Sequence, residues 1–325
     1  MLVTGGAGFI GSNVVAALAR SADVVVCDRL GRDERWRNLA KHDIAELVAP
    51  ERLDDFLAAR HGALDVVVHM GAVTSTTERD ADLLARDNYG LSRRIWAWCA
   101  EHGTRLIYAS SAATYGAGEA GFRDDERPEA LAALRPLNAY GWSKHAFDRW
   151  VARTLSGGQA RPPQWAGLKF FNVYGPNEYH KGAMQSVVAR IYPDAAAGRA
   201  VRLFRSHHPD YADGGQRRDF IWVDDCVRVI SWLARTPSVN GLYNVGTGRA
   251  RSFADLARSL FAALGREPRI EYVDTPAEIR ARYQYFTQAE MTKLAAAGFT
   301  EPFTELEAGV GEYVRGYLAT DDPYR

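Results

Sequence analysis

The sequence predicts an α/β protein built on a doubly wound parallel sheet, with a smaller α/β substrate-binding domain attached. Short runs rich in β-branched residues alternate with helical stretches through the first half of the 325-residue chain. These runs are almost wholly apolar, as strands are when helices cover both faces of their sheet. After about residue 155 the alternation loosens, and residues 176–215 are rich in Gly, Pro, His and Tyr. We interpret that later region as a substrate-facing segment.

Each predicted element follows from its own pattern. Strand-like runs occupy residues 2–5, 24–28, 65–69, 105–111 and 168–175, and residues 217–235 indicate a strand followed by a helix. Helical spacing covers residues 12–21, 51–60 and 83–103, the last ending at Gly103. Gly and Pro mark residues 156–165 as a surface loop, and two more helical patterns lie within residues 250–325. The expected domains are residues 1–168 plus 216–246, and residues 169–215 plus 247–325 for the substrate.

Composition argues against several classes of partner. Forty basic and forty acidic side chains cancel, so charge gives no reason to expect nucleic acid or a membrane surface. No apolar run reaches the roughly 20 residues of a membrane span, and no secretory signal is expected before the first strand. Cys27, Cys99 and Cys226 lie far apart in the sequence, which indicates free thiols, a reducing cytoplasm and no metal site.

A glycine-rich loop, TGGAGFIG, lies between the first strand and the first helix. Gly5 permits a tight turn, Gly8 lets a pyrophosphate approach the backbone, and Gly11 allows the helix and strand to pack closely. The helix N-terminus then offers its N–H groups to the phosphates. A glycine triplet by itself could be a turn without function. Its place between a strand and a helix favours dinucleotide binding by a Rossmann-type domain.

The residues after the second strand bear on the choice of nicotinamide cofactor. Asp28 stands where an acidic residue holds the ribose 2′-hydroxyl of NAD. Arg29 follows directly, and Arg32, Arg35 and Arg37 come soon after. An arginine near this place accommodates the 2′-phosphate of NADP. The pattern favours NADP and leaves NAD open, the alternative being that the arginines form a solvated face.

The stretch PLNAYGWSK places Tyr140 and Lys144 four residues apart, on one face of a predicted helix. A nearby ammonium, together with the positive nicotinamide of an oxidised cofactor, favours tyrosinate and lowers the tyrosine pKa, which turns a poor base into a usable one. Ser111, at the polar end of the 105–111 strand, could orient the reacting oxygen. For an isolated pair an exposed helix face is the commoner explanation, but the glycine loop and the polar strand end favour catalysis.

The chain resembles the extended short-chain dehydrogenase/reductase family. The residues that carry the resemblance are TGGAGFIG, SSAATYG (110–116) and YGWSK (140–144). Within that family it is similar to the sugar-nucleotide epimerases that invert carbon 6 of the heptose in ADP-heptose. This narrower similarity rests on FFNVYGPNEYHKGAM (170–184), RRDFIWVDDCV (217–227), YNVGTGRARSF (243–253) and RYQYFTQAEMTKLAAAGF (282–299). The HKG and RYQYFTQ segments are its most specific parts.

The resemblance implies an NADP-dependent isomerase that converts ADP-D-glycero-β-D-manno-heptose to its L-glycero epimer through a transient 6-keto intermediate. In that scheme Tyr140 is the first acid/base, Lys144 binds the nicotinamide ribose, and Ser111 donates a hydrogen bond. Lys181 of HKG is the second acid/base, although without the resemblance it would be taken as a phosphate-binding or surface lysine. The resemblance further implies a cytoplasmic homo-oligomer, a pentamer, whose product feeds the lipopolysaccharide core or another surface heptose polymer.

The motifs and the resemblance together give two sets of binding residues. For the cofactor they are Gly5, Gly8, Phe9, Ile10, Gly11, Asp28, Arg29, Arg35, Met70, Gly71, Ala72, Val73, Thr74, Asn88, Tyr140, Lys144, Val173 and Lys181. For the sugar nucleotide they are Ser111, Asn172, Ala183, Arg190, Phe204, Arg205, Ser206, His207, Arg218 and Tyr283. Two members have structural alternatives, because Phe204 could belong to the core and Arg218 could pair with Asp219 or Asp224.

Four departures from the family pattern leave the sugar and the cofactor open. Arg29 stands where the family commonly has Asn, Ala183 follows HKG where it often has Ser, and Arg190 replaces a histidine. The segment HHPDYADGGQ (207–216) is longer than in some relatives.

Two alternative functions follow from the same residues. The nearest is another sugar-nucleotide epimerase, such as a UDP-hexose 4-epimerase, against which HKG and RYQYFTQ argue. A non-catalytic NAD(P)-sensing protein is the alternative from a different class. The intact set of Ser111, Tyr140 and Lys144 argues against a sensor, since a sensor does not need it.

Overall fold

The computed structural model describes residues 1–60, 62–280 and 283–325 of the chain. Arg282, with which the RYQYFTQ segment begins, lies outside the described residues. The strands, in chain order, are β1 Leu2–Thr4, β2 Val25–Cys27, β3 Glu46–Val48, β4 Val66–His69, β5 Arg105–Ser111, β6 Trp165–Phe170, β7 Asn172–Tyr174, β8 Val201–Phe204, β9 Arg217–Trp222, β10 Gly241–Val245, β11 Ala250–Ser252 and β12 Ile270–Val273.

The helices alternate with these strands. The α-helices are α1 Phe9–Leu18, α2 Leu53–Ala58, α3 Ala81–Leu84, α4 Leu91–Glu101, α5 Pro128–Ala133, α6 Ala139–Ser156, α7 Val187–Ala196, α8 Val223–Arg235, α9 Phe253–Ala263, α10 Ala277–Arg280, α11 Thr292–Ala296 and α12 Leu306–Tyr313. Short 3-10 helices cover Glu34–Asn38, Pro50–Arg52, Ala112–Tyr115 and Tyr179–Met184, and π-helical turns cover Ala85–Gly90 and Val314–Leu318. Within the described part of the chain, no helix is both long and apolar enough to cross a bilayer.

Seven strands form one parallel sheet in the order β10-β6-β5-β4-β1-β2-β3. Its two faces belong to different cores, because successive side chains of a strand point to opposite sides. Val3 of β1 packs with α1 and α8 on one face, while Leu2 packs with α2, α4 and α6 on the other. The prediction of a doubly wound α/β fold is confirmed.

A second layer of structure carries its own core. Strands β11, β9 and β7 form a three-stranded sheet, and β12 pairs in parallel with β8. Helices α7, α9 and α12 pack against them through a separate group of buried apolar side chains, including Leu260 and Val310. The predicted strand that begins at residue 217 is therefore present as β9. It belongs to the smaller sheet, since β10 occupies the position beside β6.

Several elements differ from the prediction for local reasons, and the strand predicted over residues 168–175 is divided into β6 and β7. Helix α1 begins at Phe9 instead of residue 12, because the extended Gly8 already serves as its N-cap. The helix predicted over residues 83–103 is interrupted by the π-helical turn, and it ends at Glu101 before Gly103, whose φ is +66°. Strand β3 was not predicted, since only Val48 of its three residues is buried and the apolar signal is correspondingly short.

Candidate active site

The glycine loop forms a tight cradle at the carboxyl end of β1. Gly5 has a φ of +67°, and a Cβ added there would lie 2.5 Å from the backbone nitrogen of Gly71. A Cβ at Gly11 would lie 2.0 Å from the carbonyl oxygen of Gly5. Side chains are thus excluded where the loop, α1 and the segment after β4 meet. The assigned roles of Gly5 and Gly11 as turn and close-packing positions fit this geometry.

The first turn of α1 faces the space in front of this cradle. Gly8 is its N-cap, and no side chain of the described residues caps the helix there. The first N–H groups of an uncapped helix are ready donors for a phosphate. Phe9 is buried and Ile10 is partly buried in the packing of the two cores. The cradle and the free helix end fit the pyrophosphate of a dinucleotide.

Asp28 and Arg35 lie together beyond the end of β2. The Asp28 carboxylate accepts hydrogen bonds from the backbone N–H groups of Ala7 and Arg29 at 2.9 and 2.7 Å. Burial raises the pKa of Asp28, and these backbone donors and the Arg35 guanidinium oppose that rise. Arg35 contacts the Arg29 carbonyl and Asp33, and its Nε is buried without a partner among the described residues. An unused donor beside a ribose-binding carboxylate suits a 2′-phosphate.

Arg29 faces away from this corner. Its guanidinium pairs with Glu51 at 2.6 Å, and both side chains are exposed. Arg29 can therefore contact the cofactor in two ways. Its backbone can do so as it stands, or its side chain can move away from Glu51.

The segment Met70–Thr74 follows β4 and lies beside the glycine loop. Met70 and Gly71 are held by the backbone carbonyl and the hydroxyl of Thr4 at 3.0 and 3.2 Å. Asn88, in the π-helical turn, accepts a hydrogen bond from the Val73 N–H at 2.8 Å and donates to the Val73 carbonyl at 3.0 Å. Its amide also donates to Ser143 at 2.9 Å. The buried Asn88 side chain is thus committed to protein groups, and its expected direct contact with the cofactor becomes one of positioning the segment.

Ser111, Tyr140 and Lys144 converge where β5 ends against α6. The Tyr140 hydroxyl is hydrogen-bonded to the Ser111 side chain, which also accepts from the Ala113 N–H at 3.1 Å. Asn138 caps α6 by accepting from the Gly141 N–H at 2.8 Å, which fixes the first turn that carries Tyr140. Lys144 is buried and donates to the Ala109 carbonyl at 2.8 Å. The alternative of an exposed helix face is wrong.

The sequence predicts that Lys144 and a positive nicotinamide together lower the pKa of Tyr140, and that joint effect stays a prediction. Among the protein's own groups, burial raises the pKa of Tyr140 and the Ser111 hydrogen bond opposes that rise. The Lys144 ammonium donates its hydrogen bond to the Ala109 carbonyl of β5. Burial lowers the pKa of Lys144 to about 8, with Asp148 opposing the change. A bound positive nicotinamide would have to supply the remaining field that favours tyrosinate.

Lys181 lies next to the glycine loop in the Tyr179–Met184 segment. Its ammonium sits 5.2 Å from the centre of the Phe9 ring, a cation–π distance. Burial lowers the pKa of Lys181, and the neighbouring Glu178 carboxylate opposes the change. Met184 of the same segment contacts the Thr76 hydroxyl, beyond the Met70–Thr74 segment. A half-buried lysine facing the nucleotide loop does not fit the alternative of an ordinary surface lysine.

The predicted nucleotide-binding residues of the second layer form an aromatic cluster around a buried arginine. Arg218 lies 5.6 Å from the Tyr283 ring centre and 5.7 Å from that of Phe253. Phe204 packs edge-on to Tyr283 with ring centres 6.0 Å apart. Arg218 donates to backbone carbonyls of Arg217 and Gln284. The alternatives are therefore wrong: Arg218 does not pair with Asp219 or Asp224, and Phe204 is only half-buried.

A hydrogen bond joins this cluster to the loop that follows Ser111. Gln284 donates to the Gly116 carbonyl at 2.6 Å, just beyond the 3-10 turn that follows Ser111. Arg205 is exposed near Asp213 and Asp274 at 3.9 and 3.8 Å, and the His207 N–H donates to the Tyr285 hydroxyl at 3.0 Å. The Ser206 hydroxyl donates to the His208 carbonyl.

The remaining predicted binding residues have few contacts with the clusters described above. Asn172 and Ala183 are exposed, and Val173 is packed between the two cores. Arg190 is an exposed residue of α7, and no side-chain hydrogen bond or ion pair joins it to another described residue. The structure therefore leaves Ala183 and Arg190 apart from the clusters described above.

Several buried polar residues near the site were not predicted. His69, at the end of β4, lies 2.6 Å from the Thr4 hydroxyl and 3.0 Å from that of Ser92, and burial lowers its pKa to about 3. Asp148 and Lys169 form a buried ion pair beneath Ser110 and Thr114. The spacing of Asp148 four residues after Lys144 was the available signal for the pair. Across the described residues, no group of three or more His, Cys, Asp or Glu side chains is arranged to hold a metal ion.

Comparison with known proteins decides the family. Residues 1–246 match the profile of the NAD dependent epimerase/dehydratase family. The chain belongs to this family. It is 52% identical, over 99% of both chains, to an ADP-L-glycero-D-manno-heptose-6-epimerase of Nitratidesulfovibrio vulgaris. It is 42% identical to the enzyme of that name from Fusobacterium nucleatum, over 100% of this chain and 99% of the other.

Solved structures of epimerases agree with this family assignment. The crystal structure of the Helicobacter pylori ADP-L-glycero-D-manno-heptose-6-epimerase is similar with a TM-score of 0.78 and 28% identity, over 97% of this chain and 94% of that one. A Thermus thermophilus UDP-glucose 4-epimerase in complex with NAD gives 0.73 and 28%, over 95% and 96%. The predicted resemblance to the heptose epimerases, and with it isomerase chemistry, is confirmed.

Proposed function

We propose that this protein catalyses the inversion of carbon 6 in ADP-D-glycero-β-D-manno-heptose to give the L-glycero epimer. The observation that carries the proposal is the 52% identity over 99% of the chain to a relative named for this reaction. The site supports a redox route for a simple reason. A carbon bearing an unactivated C–H inverts readily only after oxidation to a planar ketone, whose other face then receives the hydride.

The residues present fit a nicotinamide dinucleotide. Gly5, Gly8 and Gly11 leave room for the pyrophosphate at the uncapped end of α1, and Asp28 with Arg35 stands where the adenosine ribose would lie. When bound, the cofactor supplies hydride exchange with carbon 6. The protein's contribution is to hold the sugar, to move the proton of the carbon-6 hydroxyl and to keep water out.

Tyr140 and Ser111 are placed for the proton of the substrate hydroxyl. We propose that Ser111 donates a hydrogen bond to the reacting oxygen while Tyr140, in its ionised form, takes up the hydroxyl proton during oxidation. The same tyrosine can return a proton to that oxygen after reduction on the other face. Lys144 would bind the hydroxyls of the nicotinamide ribose, giving up or sharing the hydrogen bond that it donates to the Ala109 carbonyl.

Lys181 is proposed as the second acid/base. Its position on the Phe9 ring puts an amine of lowered pKa beside the first turn of α1, which follows the glycine loop. Two proton-transfer groups suit a reaction in which the exocyclic carbon is presented in two orientations. Arg218, whose guanidinium has five donors and uses two on backbone carbonyls, is proposed to bind the diphosphate.

We propose NADP as the preferred cofactor, on the strength of the unpaired Nε of Arg35. Replacing Arg35 by Ala should weaken NADP binding about tenfold or more, since a charge-assisted hydrogen bond contributes about 1.5–3 kcal/mol. Binding of NAD, which lacks the 2′-phosphate, should change little. Arg32→Ala, at an exposed arginine of the same segment, is the control. Equal losses for both cofactors would contradict the preference.

The function is tested by following the purified protein and ADP-D-glycero-β-D-manno-heptose by NMR, first without added cofactor and then with NADP or NAD. Appearance of the L-glycero epimer supports the proposal, and its appearance without added cofactor indicates a retained nicotinamide. The Tyr140→Phe variant should lose activity at least ~100-fold, as expected for removal of a general acid/base. Absence of the epimer under all conditions would refute the proposal, and conversion of UDP-glucose instead would favour a 4-epimerase.

Further parts of the sequence-based prediction stay proposals. These are the division at residues 168, 216 and 246, a homo-oligomer such as a pentamer, and a product used for the lipopolysaccharide core or another surface polymer. A cytoplasmic location is supported by the three free, buried cysteines, which suit a reducing compartment.

A further inference from the structure

A buried ion pair lies directly beneath the catalytic residues. The Lys169 ammonium of β6 donates to the Asp148 carboxylate of α6 at 2.8 Å, and both side chains have 0% exposure. Removing two charges from water is costly, and an apolar pair of the same volume often stabilises a fold as well or better. A pair retained at such depth calls for a role besides stability, and its partners indicate which.

The pair holds the strand end that carries Ser111 from both sides. Asp148 accepts a hydrogen bond from the Ser110 hydroxyl at 2.7 Å, immediately before Ser111. Lys169 donates to the Thr114 hydroxyl at 2.6 Å, and Thr114 in turn donates to the Ser111 carbonyl at 2.8 Å. Asp148 therefore holds Ser110 on one side of Ser111, and Lys169 holds Thr114 on the other.

The pair also reaches the helix that carries the other catalytic groups. Asp148 stands one turn after Lys144 and two turns after Tyr140 on α6, so the three share a face. The negative charge of Asp148 favours the ammonium form of Lys144, against its burial. Two further titratable groups face Lys144: Tyr140 stays neutral because burial raises its pKa, and His69 of β4 stays neutral because its pKa is about 3. Asp148 is thus the carboxylate that supports the charge on Lys144.

The polar groups of the pair are well satisfied. Asp148 also receives a long hydrogen bond from the Tyr108 hydroxyl at 3.4 Å, and the Lys169 ammonium lies 4.8 Å from the Tyr115 ring centre. A network of this kind has one low-energy arrangement, because a different rotamer of Asp148 or Lys169 would leave a buried charge without a hydrogen bond. It joins β5, β6 and α6 at the point where Ser111, Tyr140 and Lys144 must keep their spacing.

We propose that Lys169 and Asp148 are positioning residues of the epimerase reaction: through Ser110 and Thr114 they set the place of the Ser111 hydroxyl. Asp148, one helical turn from Lys144, in addition favours the ammonium form of that lysine. The inference rests on the proposed function for its kinetic test. Its electrostatic part concerns only Lys144 and needs no substrate.

The test compares three variants. Lys169→Met with Asp148→Asn removes both charges and keeps the shapes, and Thr114→Val removes only the hydroxyl between Lys169 and Ser111. The matched control is Lys293→Met with Glu126→Gln, which removes a lysine–glutamate pair of 2.5 Å that contacts carbonyls of Asp124 and Leu242. For each protein we would measure kcat, KM, bound cofactor, melting temperature and the Lys144 titration by NMR of ε-¹³C-lysine. The chain has only five lysines, so the signals can be assigned.

We expect kcat of the double variant to fall at least tenfold, with KM and bound cofactor changed less than threefold. The pKa of Lys144 should fall below its wild-type value because the Asp148 charge is gone. Thr114→Val should lower kcat and leave the Lys144 titration unmoved, which separates placement from charge. The control should lose thermal stability and keep its kcat.

Two results would overturn the inference. One is a folded double variant with wild-type kcat and an unmoved Lys144 titration. The other is a loss of kcat in the control as large as in the double variant, which would assign the effect to stability alone. A wild-type protein without epimerase activity would refute the proposed function, while the Lys144 titration would still decide the electrostatic part of this inference.

Discussion

At Lys144, burial acts against the charge that the proposed function needs. Lys144 is enclosed by α6, β4 and β5, with the Ala109 carbonyl as its hydrogen-bond acceptor and Asp148 one turn away. Burial disfavours its charge and lowers its pKa to about 8, whereas a free lysine titrates near ~10.4. The proposed role needs the ammonium form, because only that form donates three hydrogens, enough for ribose hydroxyls as well as for the Ala109 carbonyl.

In the protein without cofactor, we therefore expect the Lys144 ε-¹³C signal to titrate near pH 8. The same group should give kcat an alkaline limb, since the needed ammonium is present below the folded-state pKa and lost above it. The Lys144→Met variant identifies the signal by its absence. A Lys144 signal that titrates only near the free-lysine value of ~10.4 would contradict the burial argument.

Gly11 shows how little space separates the nucleotide loop from α1. A Cβ at this position would lie 2.0 Å from the Gly5 carbonyl oxygen, so the loop or the helix must shift. Gly11→Ala should destabilise the protein by about 1–3 kcal/mol, as overpacking does, and should weaken NADP binding because the cradle is displaced. Thermal unfolding and cofactor titration measure the two effects.

Gly316 provides the matched control for this substitution. It lies in the Val314–Leu318 turn, and an added Cβ would meet only the carboxylate end of Glu312 at 3.3 Å, which can move aside. Gly316→Ala should leave NADP binding unchanged and cost little or no stability. If both variants bound NADP equally well, the cradle argument would be wrong.

At the scale of elements, the site depends on segments that hold one another. The Met70–Thr74 segment follows β4 and has no regular structure of its own. Its shape comes from Thr4 of β1 on one side and from Asn88 of the π-helical turn on the other. A π-helical turn widens the helix by one residue, and here it places the Asn88 amide against the Val73 backbone.

Asn88→Ala should therefore weaken cofactor binding indirectly, by releasing the Met70–Thr74 segment. The change leaves the N–H and carbonyl of Val73 without partners, at a cost of about 1–3 kcal/mol for each buried group. We expect a loss of NADP affinity of about tenfold, measured by calorimetry, and a lower melting temperature.

Asn240→Ala is the control for this effect of a backbone-binding asparagine. The Asn240 side chain likewise accepts a hydrogen bond from a backbone N–H, that of Trp165 at 2.8 Å. Trp165 begins β6, so this contact lies at the amino end of a strand, away from the glycine loop. Its loss should lower the melting temperature and leave NADP affinity intact. Unchanged NADP affinity in Asn88→Ala would show that the Met70–Thr74 segment keeps its shape without Asn88.

At the scale of the whole molecule, the two faces of the large sheet and the second layer have separate cores. The glycine loop and Ser111 lie at the carboxyl ends of β1 and β5, the edge at which open parallel sheets usually bind ligands. The three cysteines report on this packing. Burial raises the pKa of Cys27 and Cys99 to about 12, and it also raises that of Cys226 well above the usual value of a thiol.

Because the thiolate is the reactive form, we expect all three thiols to resist Ellman's reagent at pH 8 in the native protein. Unfolding in denaturant should release three reactive thiols per chain. Bound cofactor should slow the appearance of reactivity by stabilising the native state. Rapid reaction of any thiol in the native protein would contradict the described packing.

The sequence by itself determined the parts of this protein that depend on near neighbours in the chain. The apolar runs at residues 24–28 and 65–69 predict buried parallel strands because no other element accommodates them. The glycine spacing of residues 5–11 predicts the nucleotide loop because only glycine allows that turn and contact. The four-residue step from Tyr140 to Lys144 places both side chains on one helix face.

The tertiary structure decided what depends on distant partners. The strand at residues 217–222 could have joined either sheet, and pairing with β7 and β11 settles its place. The partner of the Lys144 ammonium is the Ala109 carbonyl of β5, which lies 35 positions away in the sequence. Lys169 finds Thr114 across 55 positions of sequence. Burial and electrostatic fields act through space between elements, and no local pattern records which elements will meet.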